Sequence, residues 1–172
     1  MIECHVRPSP LGPIVYRAEN ACLTGLFFVG QKHFPADVPP HAIVHDERPA
    51  PRVIEAACNE VAEYFAGERL TFSVPVKLHG TAFQQQVWDL LRQIPFGDAW
   101  TYGDLARRLG LPPGASRAVG GANGRNPVAI IVPCHRVIGG DGELTGYAGG
   151  VDRKRWLLTL EGGRGREQLA LF

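Results

Sequence analysis

Ile130-Ile131-Val132-Pro133-Cys134-His135-Arg136-Val137 joins a short apolar run to a thiol, an imidazole and a guanidinium. A thiol is a nucleophile only as the thiolate, and a neighbouring imidazole and guanidinium favour that form. Residues 128–132 read as a strand that Pro133 ends. Successive side chains of a strand point to opposite faces, so an extended backbone would keep His135 away from Cys134. Either Pro133 breaks the strand in time, or His135 acts through a water molecule. The plainer alternative is a buried apolar cysteine beside an exposed histidine, the reading that suits Cys4, Cys22 and Cys58.

Upstream of this stretch lie short helices with sharp stops. Thr81 caps one with apolar positions Phe83, Val87, Leu90, Leu91 and Ile94, closed by Pro95 and Gly97. Thr101 caps another over residues 102–109, and Ser116 opens a third over residues 117–123, closed by Gly124. The latter two have helix-turn-helix proportions. Gly120 and Gly121 each cost that third helix roughly 1 kcal/mol relative to alanine. A helix built against its own propensity implies a close approach to its backbone, by a neighbouring helix or by a nucleic-acid groove. Downstream, a glycine-rich loop precedes a final helix over residues 153–160 capped by Asp152, and Glu161 reads as exposed and unfavourably placed for the helix dipole.

The N-terminal half has a different grammar. Residues 13–18 and 22–29 read as strands joined by Glu19-Asn20-Ala21, and residues 30–50 read as a proline-rich surface loop. Residues 52–65 carry a helical stripe of Val53, Ala56, Ala57, Val61 and Phe65, and residues 70–78 alternate as a third strand. His79-Gly80 is the expected boundary. The predicted fold is therefore α+β: a three-stranded antiparallel sheet with a helix in residues 1–80, a mostly helical helix-turn-helix domain in residues 81–162, and a loosely ordered tail in residues 163–172.

Composition narrows the function. The chain has 172 residues, 45% hydrophobic and 20% charged, which excludes wholesale disorder. Its apolar runs are too short to span a bilayer, and Met1-Ile2-Glu3-Cys4-His5 does not begin a secretion signal. Four cysteines without secretory context point to reduced thiols and a cytoplasmic protein. Residues 1–80 carry 7 basic against 9 acidic groups, and residues 81–172 carry 11 against 8. Residues 105–140 contain Arg107, Arg108, Arg117, Arg125 and Arg136 and no acid. That field suits an anionic partner, unless acids from elsewhere cover it.

Pro133-Cys134-His135-Arg136-Val137, with Asn126-Pro127 before it and Tyr147-Ala148-Gly149-Gly150 and Trp156-Leu157-Leu158-Thr159-Leu160-Glu161-Gly162 after it, closely resembles the O6-alkylguanine-DNA alkyltransferase family. Pro95-Phe96-Gly97, Thr101-Tyr102-Gly103 and Arg117-Ala118-Val119-Gly120-Gly121-Ala122 stand in the family's order, so the resemblance covers about residues 80–162. Ser9-Pro10-Leu11-Gly12 is similar to the family's first hairpin, and the N-terminal domain would be the ribonuclease-like one. The resemblance implies direct DNA repair. An O6-alkylated guanine, with O4-alkylthymine as a further candidate, would be flipped from the duplex and its alkyl group moved irreversibly to Cys134, once per molecule. A monomer that enters the minor groove, with no cofactor and no membrane association, is expected.

The resemblance also distributes roles. His135 contacts the thiol through water, Glu161 orients the imidazole, and Asn126 braces the turn between recognition helix and active-site strand. Tyr102 donates to the departing guanine, and Arg117 takes the place of the flipped base in the stack. Ala118, Gly121 and Ala122 present a small face to the groove. Tyr147 lines the pocket, while the backbones of Val137 and Ala148 offer hydrogen bonds to the guanine edge. Ala148-Gly149-Gly150 suggests an open pocket that accepts groups larger than methyl.

The resemblance places Cys4, Cys22 and His79 where some relatives hold a structural zinc, but Phe27 occupies the place of a fourth, histidine ligand; His5 or His33 is the alternative fourth ligand, and an empty site is the expectation. Three rivals remain weaker. A catalytically silent damage-binding relative would lack Cys134, a helix-turn-helix regulator leaves Cys134-His135 and Glu161 unexplained, and a thiol hydrolase needs Cys and His better placed for direct proton transfer.

Overall fold

In the computed structural model, residues 2–38, 43–45 and 49–162 are described, so the tail expected to be loosely ordered lies outside the described residues. The chain divides into two compact units, residues 1–79 with 127–129, and residues 80–126 with 130–172.

The first unit is a four-stranded sheet in the order β3-β2-β1-β4 with one helix. Strands β1 (Ile2–Arg7), β2 (Ile14–Glu19) and β3 (Cys22–Phe28) are antiparallel, and the short β4 (Ile43–His45) runs parallel to β1. Ser9 and Gly12 close the first turn, the Gly12 amide donating to the Ser9 carbonyl at 3.1 Å. Asn20 and Ala21 close the second with φ of 49° and 64°, the conformation that matches a hairpin to the twist of its strands. Ile14, Val15, Leu23, Leu26 and Phe28 fill the interior.

The three antiparallel strands expected from sequence are present, but the third is β1 and not residues 70–78. That segment alternates in burial, with Val74 inside, yet joins β3 through the single bridge Leu23–Val76. Proline at 75 cannot donate to a ladder. Helix α1 (Arg52–Phe65) has the expected bounds, though Ala56 faces solvent and the buried stripe is Val53, Ile54, Ala57, Glu60, Val61 and Tyr64. Glu60 is buried because Ser73 and Val74 amides and the Ser73 hydroxyl donate to its carboxylate.

The second unit holds α2 (Ala82–Leu91), α3 (Tyr102–Arg108), α4 (Ser116–Gly124) and α5 (Val151–Glu161). Thr81 with Gln84 and Thr101 with Asp104 form complete capping boxes, so the two expected N-caps are in place. Ser116 does not cap α4; a 3₁₀ turn, Pro113–Ala115, leads straight into it. Trp88 of α2 donates its indole N–H to the Ala122 carbonyl at 2.9 Å, tying α2 to α4. Strand β5 (Trp100–Thr101) pairs in parallel with β6 (Val137–Ile138) beside a cluster of Ala99, Ile138, Leu144 and Leu158.

Two local expectations are corrected. Residues 128–132 are not a strand: Val128 makes one bridge to Leu26, and Ile130 then turns with φ of 71°, a conformation a β-branched residue holds only under tertiary constraint. Helix α5 begins at Val151 with Gly150 as its N-cap, so Asp152 sits in the first turn instead of capping it.

Candidate active site

Pro133 sets the geometry. With φ −83° and ψ 64°, it forms an inverse γ-turn in which the Cys134 amide donates to the Val132 carbonyl at 2.8 Å. Cys134–Arg136 then form a single 3₁₀ turn, so the opposite-face objection to a Cys–His pair on a strand does not arise. Asn126 Nδ2 donates to the same Val132 carbonyl at 2.7 Å, and Asn123 Nδ2 lies 3.4 Å from the Cys134 carbonyl. The turn that carries the thiol is thus pinned from α4 and from Asn126, two residues past its end.

His135 is 0% exposed, and its Nε2 lies 2.7 Å from Oε2 of Glu161 at the last position of α5. Arg136 grips the same carboxylate, donating from Nε at 2.8 Å and from Nη2 at 3.0 Å, while its Nη1 donates to the Ile94 carbonyl at 2.6 Å. Glu161 is therefore buried rather than exposed. Burial alone would raise its pKa, but the charges and hydrogen bonds of His135 and Arg136 outweigh that and hold the carboxyl well below the usual range. An ionised carboxylate on Nε2 requires the proton there, which leaves Nδ1 as the basic nitrogen. Nδ1 is buried and has no hydrogen-bond partner among the described residues.

Burial pushes the His135 pKa down despite Glu161, and pushes the Cys134 thiol up despite an Asn126 hydrogen bond and the positive charge of Lys154. Burial thus opposes the thiolate that the neighbouring cations favour, and opposes protonation of the imidazole. Arg136 also leaves the exposed basic field, because Glu161 neutralises it. Arg107 pairs with Asp104 and Arg108 lies 3.8 Å above the Trp100 ring, so the field narrows to the surface of α3 and α4.

On α4, Arg117 and Ala118 are exposed and Gly121 is half-buried, whereas Ala122, expected on the same face, is buried. The two glycines separate. A Cβ at Gly120 would meet the Tyr102 ring at 3.6 Å, a contact between neighbouring helices. One at Gly121 would meet only Arg125 Nη1 at 3.8 Å, so nothing in the protein demands glycine there. Tyr102, at the start of α3, donates its hydroxyl to the Thr145 carbonyl at 2.9 Å. Val137 and Tyr147 are buried and Ala148 is half-buried; the Tyr147 hydroxyl has no partner among the described residues.

The described residues bring together no group of three His, Cys, Asp or Glu side chains able to hold a metal. Their four cysteines are free thiols, and none of their helices is long and apolar enough to cross a membrane.

A model of the 6-O-methylguanine DNA methyltransferase ribonuclease-like domain matches residues 2–78, and one of that protein's DNA binding domain matches residues 82–163. The chain belongs to the 6-O-methylguanine DNA methyltransferase family. A methylated-DNA–protein-cysteine methyltransferase of Mycobacterium tuberculosis is 45% identical, covering 100% of this chain and 99% of that one. One of Methanosarcina acetivorans is 48% identical, covering 90% and 94%. Among solved structures, Mycobacterium tuberculosis OGT in complex with DNA superposes with a TM-score of 0.83 at 45% identity over 99% of both chains.

Sequence reasoning within this family pattern passed over Arg136 as the second clamp on Glu161, Asn123, and Lys154, which is wholly buried in α5. A signal for Lys154 existed: with Leu157, Leu158 and Glu161 it follows the three- and four-residue spacing of one helical face.

Proposed function

We propose that this methyltransferase flips O6-alkylguanine from duplex DNA and moves the alkyl group to Sγ of Cys134, irreversibly and once per molecule. As the lesion seats, Nδ1 of His135 takes the thiol proton, through a water molecule, and the thiolate attacks the alkyl carbon. The S–C bond forms as the C–O6 bond breaks, the electron pair leaves with the purine, and the departing guanine recovers the proton. The observation that carries this reading is the Glu161–His135 contact, which leaves one buried basic nitrogen for the thiol turn. Glu161 then stabilises the imidazolium that forms. No metal or organic cofactor enters the balance.

DNA is the partner, and the reading places α4 in its minor groove. The exposed Arg117 fills the gap in the base stack, with Ala118 and Gly121 as the small face beside it; Ala122 contributes to packing. Tyr102 exchanges the Thr145 carbonyl for the guanine, Tyr147 lines the pocket, and the Val137 and Ala148 backbones read the guanine edge. The same site suits O4-alkylthymine and, with Ala148-Gly149-Gly150 at its wall, alkyl groups larger than methyl. The free thiols suit a monomer working in a reducing cytoplasm.

The test is a panel of duplexes bearing O6-methyl-, O6-ethyl- and O6-benzylguanine and O4-methylthymine, read by intact mass. The reading expects one adduct per molecule with each. Methyl transfer with ethyl and benzyl refused contradicts the open pocket, and continued turnover beyond one equivalent contradicts the stoichiometry.

A further inference from the structure

Asn123 stands in the last turn of α4, 1% exposed, three residues after Gly120 and so on the helix face turned toward the Tyr102 ring. The fold makes little use of its amide. Nδ2 reaches the Cys134 carbonyl only at 3.4 Å, and that oxygen already accepts the Val137 amide that closes the 3₁₀ turn. Oδ1 is buried and has no partner among the described residues. A buried acceptor left unpaired costs stability, which an apolar side chain of the same shape would not. Beyond that carbonyl, the amide acts on the Tyr102 phenol. Burial, and then the charge of Cys134, push the phenol pKa up, and the hydrogen bonds of Thr145 and Asn123 pull it back. The Tyr102 hydroxyl gives its own hydrogen to the Thr145 carbonyl at 2.9 Å, so its oxygen serves Nδ2 as an acceptor.

We propose that Asn123 is a positioning residue for alkyl transfer that acts through Tyr102, its amide N–H donating to the phenol oxygen while the phenol hydrogen turns from Thr145 to the departing guanine. The inference rests on the reading above, in which Tyr102 donates to the guanine, and deepens it by naming the group that orients and polarises that donor. A hydroxyl that accepts one hydrogen bond donates a stronger one, because the chain of bonds polarises along its length where the dielectric is low. Electron density gathers on the purine only as the C–O6 bond breaks, so a strengthened donor favours the transition state over the bound lesion. No covalent bond to Asn123 forms or breaks, and its amide keeps both hydrogens.

The experiment is a double-mutant cycle on single-turnover transfer from a saturating O6-methylguanine duplex, with duplex affinity and melting temperature measured in parallel. Wild type, Asn123→Leu, Tyr102→Phe and the double variant are compared, and Asn123→Met serves where leucine does not fold. Leucine has nearly the shape of asparagine without its polar atoms, so the melting temperature should hold or rise. The transfer rate should nevertheless fall roughly tenfold, the worth of about one hydrogen bond, with duplex affinity within about twofold of wild type. In the Tyr102→Phe background the same change should cost less than about twofold, since the donor it supports is gone. A wild-type rate in the apolar variants overturns the proposal, as does an equal loss in both backgrounds. Leucine and methionine variants that both melt well below wild type also overturn it, because the amide would then serve the fold. Tyr102→Phe at the wild-type rate removes the proposal and the role given to Tyr102 while leaving alkyl transfer intact. Absence of any adduct on wild-type Cys134 is a distinct outcome that defeats the alkyl-transfer reading itself.

Discussion

His135 Nε2 and Glu161 Oε2 are 2.7 Å apart in the interior, and Arg136 binds the same carboxylate from its other side. The carboxylate is thus held by two partners, one of which must change charge during the reaction and one of which never does. Arg136 keeps Glu161 ionised whether His135 is neutral or protonated, so the imidazole orientation does not depend on the step in progress.

Glu161→Gln should therefore harm stability and chemistry together. It leaves Arg136 buried without a carboxylate and lets His135 choose its tautomer. Breaking a buried pair costs about 3–5 kcal/mol, and loss of the orienting acid should slow transfer by at least ~10²-fold. Thermal melts and single-turnover assays check both; a variant that melts like wild type would show that the Arg136 clamp is dispensable.

Stability should fall on the acid side. Burial keeps the folded His135 pKa below its ordinary 6.5, so the unfolded chain binds a proton that the folded one refuses. Stability is lost as pH drops below about 6.5 toward that folded value. Glu161 adds in the same sense: its folded pKa is depressed, so its contribution is complete above the unfolded carboxylate value of about 4.3 and fades below it. Denaturant midpoints between pH 4 and 8 should rise with pH. A midpoint unchanged from pH 4 to pH 7 contradicts a neutral, buried imidazole.

Arg117→Ala should separate DNA handling from chemistry. Arg117 is exposed, so its removal should leave the melting temperature within about 2 °C, since surface changes stay near 0.5 kcal/mol. Transfer from duplex should fall by roughly 10²-fold as the flipped state loses its stacking substitute, while reaction with free O6-benzylguanine base is unchanged. Equal losses on both substrates would place Arg117 in the chemical step instead.

Gly121→Leu and Gly120→Leu should behave differently although they are neighbours. The first projects from an open face and should reduce DNA affinity about tenfold with the fold intact. The second meets the Tyr102 ring and should lower stability by about 1–3 kcal/mol. Filter binding and thermal melts distinguish them; undiminished DNA affinity in the first would remove α4 from the interface.

Methylated Cys134 should melt several degrees below the unreacted protein. Cys134 is 5% exposed, and an extra methyl in a packed site costs about 1–3 kcal/mol, near 2–4 °C per kcal/mol at this size. Coincident melting curves before and after reaction would mean that the site already holds room for the product.

Much of this site was legible because its chemistry is concentrated in sequence. Cys134, His135 and Arg136 are consecutive, and the helix signals around them are strong local ones: Thr81 and Thr101 cap as their spacing indicates. What escaped depends on tertiary contacts. Ile130 accepts a positive φ that no local preference favours, which turns an apparent strand into a γ-turn and a 3₁₀ turn. Strand β1 buries Cys4, His5 and Val6 in succession, so it carries no clean alternation. Glu161 looked exposed because its partners lie 25 and 26 residues upstream.

The most direct measurement is peptide-level mass spectrometry after incubation with a duplex containing O6-methylguanine. One methyl mass on the peptide that carries Cys134, none on those of Cys4, Cys22 or Cys58, and no adduct in Cys134→Ala is the expected result. An unmodified Cys134 beside repaired DNA, or a methyl group found on another cysteine, would contradict it.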